Sequence, residues 1–234
     1  MSNAIPYLSV SKWILRFCLL NFLFTIGLPV YAEIYKIPLK DDAGWEILKY
    51  SKIKPNKVKF LDDKLIIDVD NSSSPLVYPF SKPLLAEEVL FSSKIEGKID
   101  LGTKQQGEKG ADDFLLRIGL VYLGTKTLGF FKRQIAADWV IHLFQLAPEG
   151  AGIEKIRFYN IFSDKRLYGK KREHPSSDLI EENFVFENAK NGEVTGQIKT
   201  DTKSKVLALW ISSDGDDTKS KFQTIISKLE IKTK

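Results

Sequence analysis

The chain has 234 residues, of which 43% are hydrophobic and 28% are charged, with one Cys and a formal net charge of +5. A single Cys excludes a disulfide framework within the chain and a zinc site built on several cysteines. The 35 Lys and Arg residues are interspersed with 30 Asp and Glu residues. This composition does not favour the concentrated basic surface of a nucleic-acid-binding protein.

Residues 1–32 have the composition of a secretory signal peptide. Two cations, Lys12 and Arg16, precede the apolar run FCLLNFLFTIGLPVYA, and the chain becomes polar directly after it. The run is shorter than the ~20 residues that span a bilayer, and Val30 and Ala32 are the small residues that signal peptidase requires. We therefore predict cleavage near Ala32, a periplasmic or secreted protein, and no stable membrane span after cleavage. An uncleaved amino-terminal anchor is the alternative.

The predicted mature chain, residues 33–234, has no Cys and no Met, because cleavage removes Cys18 and Met1. It therefore has no thiol chemistry and no disulfide. A chain of this length can bury a core of its own without such cross-links. No repeat and no Pro-rich or Ser-rich linker divides it, so we predict a single domain.

Short runs with a period of two, separated by turn residues, predict strands along this domain. In chain order the runs are WEILKY, KVKFLDDKLIIDVD, EVLFSSKIEG, DFLLRIGLVYL, DWVIHLFQL, KIRFYNIF, KVLALWI and FQTIISKLEI. Many short strands without alternating helices predict an all-β fold, a two-sheet antiparallel β-sandwich of the jelly-roll type. Both faces of DFLLRIGLVYL are mostly apolar, which predicts a central strand, whereas EVLFSSKIEG has one apolar and one polar face.

Little helix is expected. The best candidate is FVFENAK, followed by Asn191 and Gly192, which tolerate the left-handed conformation that ends a helix. Two stretches, residues 97–112 and 163–178, are rich in polar residues and Gly and are predicted to be loops.

Three sets of residues in order along the chain resemble a known family. They are Gly44 and Trp45, the segment KGADDFLLRIGLVYLG at 109–124, and the closing segment ALWISSDGDDT with TIISKLEI. Together they resemble an exported bacterial family known as domain of unknown function 3047. The resemblance implies a secreted or periplasmic all-β domain, similar to carbohydrate-binding jelly rolls, and it implies no activity. Ala111 and the additional carboxylate of Asp216 and Asp217 depart from the family pattern.

The common catalytic signatures are missing from the sequence, which contains neither Gly-x-Ser-x-Gly nor His-Glu-x-x-His. His142 lies among apolar residues, which predicts a core histidine with one hydrogen bond, and a catalytic base is the alternative. His174 lies in the basic loop GKKREHPSSD and is predicted to be solvated. A glycosidase pair of carboxylates would have to come from distant segments.

Acidic turns provide the candidate metal ligands. Asp112 and Asp113 precede the predicted central strand, and Asp214 and Asp216 lie in DGDDT before the last strand. Short Asp-rich loops provide the oxygen ligands that calcium prefers, so these four residues form a hypothetical structural calcium site. Asp and Gly are also ordinary turn residues, and a simple hairpin turn at DGDDT is the alternative that the pattern favours; a catalytic role of these carboxylates is a third alternative. Arg117 lies about 13 Å along the strand from Asp113, so its ion pair must come from another strand.

Two further groups of side chains have a chemistry suited to binding an anionic polymer or a sugar. The basic cluster Lys165, Arg166, Lys170, Lys171 and Arg172 could contact an anionic polymer, but without interleaved aromatic residues a solvated loop is favoured. Aromatic residues that could stack on sugars lie mostly in strand interiors, where core packing is the expected role. They are Trp45, Trp139, Trp210, Tyr78, Tyr122 and Tyr159.

The sequence therefore predicts an exported, non-enzymatic β-sandwich that binds a glycan or another component of the cell envelope. One alternative is a polysaccharide hydrolase or lyase with carboxylates from distant segments. Another is a structural or protein-interaction domain, which would expose an apolar patch or an open sheet edge. A β-sandwich by itself does not decide among these functions.

Overall fold

The strands and helices account for most of the chain from Glu33 onward. The computed structural model describes Met1 and residues 33–175, 177–201 and 203–234, so the predicted signal peptide lies outside the described residues. The strands are β1 (Glu33–Lys36), β2 (Glu46–Ile47), β3 (Lys57–Leu61), β4 (Lys64–Asp70), β5 (Ser73–Leu84), β6 (Ala86–Lys98), β7 (Leu116–Gly124), β8 (Gly152–Phe162), β9 (Lys171–His174), β10 (Ser177–Glu187), β11 (Glu193–Lys199), β12 (Val206–Asp214) and β13 (Lys221–Thr233). The helices are α1 (Phe130–Ile135), α2 (Asp138–Gln145) and one turn of 3₁₀ helix (Lys165–Leu167).

The strands form two sheets. The first sheet has the order β11-β6-β13-β4-β3, with β1 also paired to β13, and all of its pairs are antiparallel. The second has the order β2-β5-β12-β7-β8-β10-β9. Its pairs are antiparallel except for β8 and β10, which run parallel. The prediction of a two-sheet β-sandwich with little helix is confirmed, with the correction that the second sheet is mixed. The long connection between β8 and β10 permits this parallel pairing.

The main core lies between the two sheets. Strand β7 is the middle strand of the second sheet, as predicted, and Leu116, Ile118, Leu120 and Tyr122 point into this core. Strand β6 brings Val89, Phe91 and Ile95 into the same core from the first sheet, while its intervening side chains are more exposed. Within the described part of the chain, the residues of this core lie between positions 37 and 231. The domain therefore carries its own core.

The outer face of the second sheet is covered by α2, and this corrects one prediction. The stretch DWVIHLFQL is helical, not a strand. Trp139, Leu143 and Leu146 share one face of a helix, so all three can pack on the sheet, whereas a strand would point Leu146 away from the other two. Leu143 is fully buried in a second apolar cluster with Val121, Phe158 and Trp210.

The predicted helix at FVFENAK is also wrong. Phe184 and Phe186 belong to β10. A register shift between Phe184 and Phe186 places them in different apolar clusters. Phe184 stacks on Phe114 and Phe186 contacts the edge of Phe91, and this aromatic packing outweighs local helix propensity. Gly192 has a φ of +75°, as expected for a left-handed residue, but it belongs to the turn before β11.

Smaller differences concern the loops. The stretch 97–112 is a loop after the end of β6, as predicted, whereas 163–178 contains the 3₁₀ turn and β9. Only Glu46–Ile47 of WEILKY forms a strand. Helix α2 has eight residues, and no helix among the described residues is both long and apolar enough to cross a membrane.

Candidate functional site

A cavity of about 290 Å³ lies between α2 and the outer face of the second sheet. Strand register determines its floor. Arg117 of β7 is opposite Ser212 of β12, and Gly119 of β7 is opposite both Trp210 of β12 and Phe158 of β8. The aromatic and ionisable residues that line the cavity include Tyr50, Arg117, Trp139, His174, Trp210 and Asp214. The cavity thus combines aromatic and charged side chains.

Two tryptophans form the apolar part of the cavity. Trp139 from α2 and Trp210 from β12 meet edge to face, with ring centroids 6.2 Å apart and planes at 82°. Trp210 is almost fully buried, whereas Trp139 is partly exposed. Gly119 beside them leaves room for Phe158, because a Cβ at Gly119 would lie 2.6 Å from Phe158 Cε1. The absence of a side chain at Gly119 therefore shapes this face of the sheet.

The polar part of the cavity is centred on Arg117. Its Nη1 donates to Glu182 Oε1 at 3.1 Å, and its Nη2 donates to Asp214 Oδ2 at 2.9 Å and to the Asp112 carbonyl at 2.8 Å. The guanidinium also lies 4.5 Å from the centroid of Phe114. As expected from the sequence, the ion-pair partners of Arg117 come from other strands, namely β10 and β12.

Glu182 is fully buried and has partners on both carboxylate oxygens. Its Oε1 also accepts from Asn160 Nδ2 at 3.0 Å, and its Oε2 accepts from Arg172 Nε at 2.6 Å. Arg172 in turn pairs with Asp112. Because an unpaired buried charge is very costly, these partners explain how a Glu can lie in the sheet with no exposure.

Two polar atoms of the Arg117–Asp214 ion pair lack a hydrogen-bond partner among the described residues. They are Arg117 Nε, a donor, and Asp214 Oδ1, an acceptor. Both residues are only 8% exposed, and both line the cavity. Most buried polar atoms in proteins have a partner, so an unpartnered donor and an unpartnered acceptor on two lining residues make this cavity the candidate site for a ligand or water.

Burial changes the ionisation of this site. It raises the pKa of Asp214 well above 3.8, although Arg117 acts in the opposite direction. Burial also raises the pKa of the Tyr50 hydroxyl, and the nearby Asp214 adds to this effect. For Arg117, burial lowers the pKa but Asp214 and Glu182 outweigh it, so the guanidinium stays charged.

The two acidic turns meet at one end of the sandwich. Asp113 accepts hydrogen bonds from Thr218 N at 2.7 Å, from Thr218 Oγ1 at 2.5 Å and from Asp217 N at 3.2 Å. The Asp217 carboxylate accepts from Asp112 N at 3.2 Å. The turn Asp214–Thr218 is not a hairpin, which corrects the alternative above, because β12 and β13 belong to different sheets. It is a corner between the sheets.

The four predicted calcium ligands are thus close in the fold but have different partners. Asp112 pairs with Arg172, Asp113 binds the corner at Thr218, and Asp214 pairs with Arg117. Asp216 is half-buried, and burial raises its pKa. No group of three or more His, Asp or Glu residues within the described ranges could hold a metal ion. The calcium site remains a prediction.

The two histidines lie in different parts of the fold, His142 on α2 and His174 at the end of β9. His142 lies on α2, partly buried, with Nε2 2.6 Å from Glu46 Oε2. His174 is not a solvated loop residue as predicted. It ends β9, lines the cavity and has Nε2 3.4 Å from Asp112 Oδ2. His174 and the two arginines hold the pKa of Asp112 below its ordinary value, although burial alone would raise it.

The basic cluster is solvated only in part. Lys165 is exposed, and Arg166 pairs with Asp164 at 2.6 Å on the surface. Arg172 instead lies half-buried against Glu182, because β9 pairs with β10 opposite that residue. The solvated interpretation is therefore wrong for Arg172. The spacing of Arg172 and Glu182 along the chain gave no signal of this contact.

The aromatic residues mostly have the expected core role. Trp45, Tyr122, Tyr159 and Trp210 are buried. Trp139 differs, because it lies on a helix and lines the cavity. Sequence reasoning missed Tyr50 and Glu182 as site residues.

Two larger grooves are present elsewhere on the surface, of about 710 and 440 Å³. Charged residues that line them pair with one another, as Arg157 does with Glu181 at 2.6 Å and Lys54 does with Asp70 at 3.1 Å. Of the described residues that line these grooves, none has a buried side-chain polar atom without a partner. The smaller cavity is therefore the better candidate site.

Comparisons with known proteins give only distant likenesses. No protein-family model and no curated protein matches the chain. Among solved structures, a family 11 carbohydrate-binding module from Clostridium thermocellum in complex with a mixed-linked tetrasaccharide is 7% identical, with a TM-score of 0.42, over 85% of this chain and 94% of that chain. A family 29 carbohydrate-binding module from Piromyces equi is 8% identical, with a TM-score of 0.36, and the match covers 88% of this chain and 93% of that chain. At these scores the likenesses carry no argument about a ligand.

Proposed function

We propose that this protein binds a glycan and that the cavity between α2 and the second sheet accepts a single sugar ring. The observation that carries this proposal is the unpartnered donor Arg117 Nε and acceptor Asp214 Oδ1 beside the Trp139 and Trp210 rings. We regard the domain as a binding module with no catalytic step.

The chemistry of a sugar matches both parts of the cavity. A hydroxyl group both donates and accepts, so one hydroxyl or two adjacent hydroxyls can pair with Arg117 Nε and Asp214 Oδ1. The C–H face of the ring carries partial positive charge and is attracted to the negative face of an indole such as that of Trp139. Because Arg117 is already neutralised by Glu182 and Asp214, the site favours an uncharged ligand.

The size of the cavity argues for one ring. Its volume of about 290 Å³ lies at the lower limit of ordinary ligand pockets. Helix α2 packs across the outer face of the sheet through Leu143 and Trp139, where an extended polysaccharide chain would otherwise lie. A free monosaccharide or the last residue of a glycan chain is therefore the expected ligand.

The location of this activity is also a proposal. The composition of residues 1–32 and the resemblance to domain of unknown function 3047 support export to the bacterial periplasm or beyond. A glycan of the cell envelope would then be the available ligand.

Hydrolysis of a glycan is the second candidate, because Asp214 has a raised pKa and lines the cavity. A hydrolase needs a second carboxylate on the opposite side of the bond to be cleaved. Glu182 is fully buried and shares the Arg117 guanidinium with Asp214, so it does not face the cavity from the other side. Binding is therefore the function that the geometry supports better.

Replacement of Trp139 tests the proposal. The domain 33–234 is applied to an array of envelope monosaccharides and short oligosaccharides, and bound sugars are titrated by calorimetry. We expect Trp139→Ala to weaken binding about tenfold, equivalent to 1.4 kcal/mol, because the stacking surface is lost. Phe144→Ala is the matched control, since Phe144 packs α2 on the same cluster but does not line this cavity.

Equal losses in both variants would contradict the proposal, because they would show only that α2 must be in place. Failure of the unchanged domain to bind any sugar on the array would also contradict it. Release of a shortened glycan during the titration would favour the hydrolase.

A further inference from the structure

Helix α1 exposes large apolar side chains on the surface. Phe130, Phe131 and Ile135 are 72%, 82% and 87% exposed, and none of the residues of α1 is buried. The two phenyl rings contact each other edge to face, with centroids 5.7 Å apart. These three side chains are called the α1 surface below. Other exposed apolar residues of the described chain, such as Leu61 and Tyr168, lie in separate elements.

Such a surface needs an explanation because its exposed side chains contribute no hydrophobic burial to the stability of the isolated domain. Scattered apolar residues are normal on protein surfaces, but a contiguous group indicates a contact with another molecule or a membrane. A helix of six residues is too short to be stable by itself, and α1 has no buried residue that fixes it to the sandwich. A partner that covers the α1 surface would therefore stabilise the helix as well.

The charges beside the α1 surface point to the kind of partner. Lys132 and Arg133 lie within α1, and residues 125–137 contain no Asp or Glu. Lys126, shortly before α1, pairs with Asp178 and is therefore not part of this group. Exposed Phe and Ile next to Lys and Arg are typical of segments that lie at a membrane surface. There the rings enter the boundary between headgroups and acyl chains, and the cations remain at the anionic headgroups.

We propose that the α1 surface docks on the anionic surface of a lipid bilayer. Phe130 and Phe131 enter the headgroup layer, and Lys132 and Arg133 bind lipid phosphates. A second copy of this chain is a poorer partner, because a two-fold contact through α1 would place the Lys132 and Arg133 pairs of the two copies close together. Three apolar side chains alone give weak, reversible binding, so binding to the bilayer depends on both the apolar side chains and the cations of α1.

This docking would place the sugar cavity near the membrane. Helix α2 follows α1 after only two residues and carries Trp139 into the cavity. The membrane contact does not depend on the proposed sugar binding, because no residue of the α1 surface lines the cavity.

Vesicle sedimentation tests the inference with the domain 33–234, which carries its own core and lacks the apolar amino-terminal segment. We expect the domain to sediment with vesicles that contain phosphatidylglycerol, and less with vesicles of phosphatidylcholine alone or at high salt. Phe130→Ala with Phe131→Ala should lower the bound fraction at least about fivefold. Lys132→Glu with Arg133→Glu should remove the preference for phosphatidylglycerol.

The matched control replaces two exposed apolar residues elsewhere, Leu61→Ala with Tyr168→Ala, and should bind as the unchanged domain does. Thermal unfolding should show the same midpoint for all variants, since the residues changed are on the surface. The inference is overturned if the unchanged domain does not sediment with phosphatidylglycerol vesicles, or if the control loses as much binding as the Phe variant. It is likewise overturned if gel filtration shows a dimer that the Phe variant dissociates while vesicle binding is unchanged.

Discussion

At the scale of single residues, Arg117 connects the fold to the proposed site. One guanidinium holds two carboxylates from other strands, Glu182 of β10 and Asp214 of β12, and all three groups are almost removed from water. Buried ion pairs of this kind seldom add net stability, because desolvation offsets the attraction. What the arrangement does provide is a fixed donor and a fixed acceptor beside the cavity, and this is the reason we assign it a role in binding.

The pH dependence of stability tests the ionisation of Asp214. A carboxyl group with a raised pKa in the folded state keeps its proton where the unfolded chain has lost it. Its stabilising contribution is therefore full below the ordinary value of 3.8 and is lost as the pH rises through the folded pKa. We expect the difference in unfolding free energy between the unchanged domain and Asp214→Asn to fall as the pH rises above 3.8, measured by urea denaturation.

Asp68→Asn is the control with the opposite sign. A hydrogen bond from Gln223 lowers the pKa of Asp68, so its contribution is lost as the pH falls. The difference between the unchanged domain and Asp68→Asn should therefore grow as the pH rises towards 3.8. If Asp214→Asn followed the same direction as Asp68→Asn, the ion pair with Arg117 would outweigh burial at Asp214.

At the scale of secondary-structure elements, β7 and α2 together form the site. Strand β7 is covered on both faces, by the main core on one side and by α2 and its cluster on the other. Gly119 is the position of β7 where Phe158 from the next strand crosses over the backbone. The site therefore depends on a strand that is packed on both faces.

A methyl group at Gly119 should disturb this packing. We expect Gly119→Ala to lower the unfolding free energy by about 1–3 kcal/mol, because the new Cβ would overlap the ring of Phe158, which is itself buried. The measurement is chemical denaturation, with sugar titration as a second readout.

Gly129→Ala is the matched control for this substitution. Gly129 has a φ of −62°, and a Cβ there would meet no atom within 4 Å. Its stability should change by less than about 0.5 kcal/mol. A neutral result for Gly119→Ala would show that Phe158 moves aside freely and that the floor of the cavity is not rigid.

At the scale of the whole molecule, the acidic turns close one end of the sandwich. The corner between β12 and β13 carries the chain from one sheet to the other, and Asp113 at the start of β7 binds it through Thr218. This contact joins segments 105 residues apart in the chain. The carboxylate thus has a structural role whether or not a metal is bound.

Replacement of Asp113 should separate these two roles. We expect Asp113→Ala to lose about 1–3 kcal/mol of stability in the presence of a chelator, because the partly buried hydrogen bonds from Thr218 and Asp217 lose their acceptor. For the predicted calcium site, millimolar calcium should raise the thermal midpoint of the unchanged domain but not that of the variant. Equal midpoints of the unchanged domain in calcium and in chelator would contradict the calcium prediction.

Much of the fold could be predicted from the sequence, because its signal is local. Alternation of apolar residues identified β6 and the central position of β7, and the turn residues separated the strands. The predictions failed where local patterns were ambiguous or where distant packing decided the outcome. DWVIHLFQL is apolar enough for a strand or a helix, and only the open face of the second sheet decided for a helix. The first four residues of FVFENAK belong to β10 because Phe184 packs on Phe114 and Phe186 packs on Phe91.

The candidate site could be predicted only in part from the sequence. The sequence by itself determined that Arg117 must find its partner on another strand, since four residues along a strand separate it too far from Asp113. Strand order determined which partners these are, because β10 and β12 bring Glu182 and Asp214 to Arg117 from 65 and 97 residues away. Alternation depends on neighbouring residues and can be read from the sequence. The order of strands in a sheet depends on contacts between distant segments, and only the tertiary structure decides it.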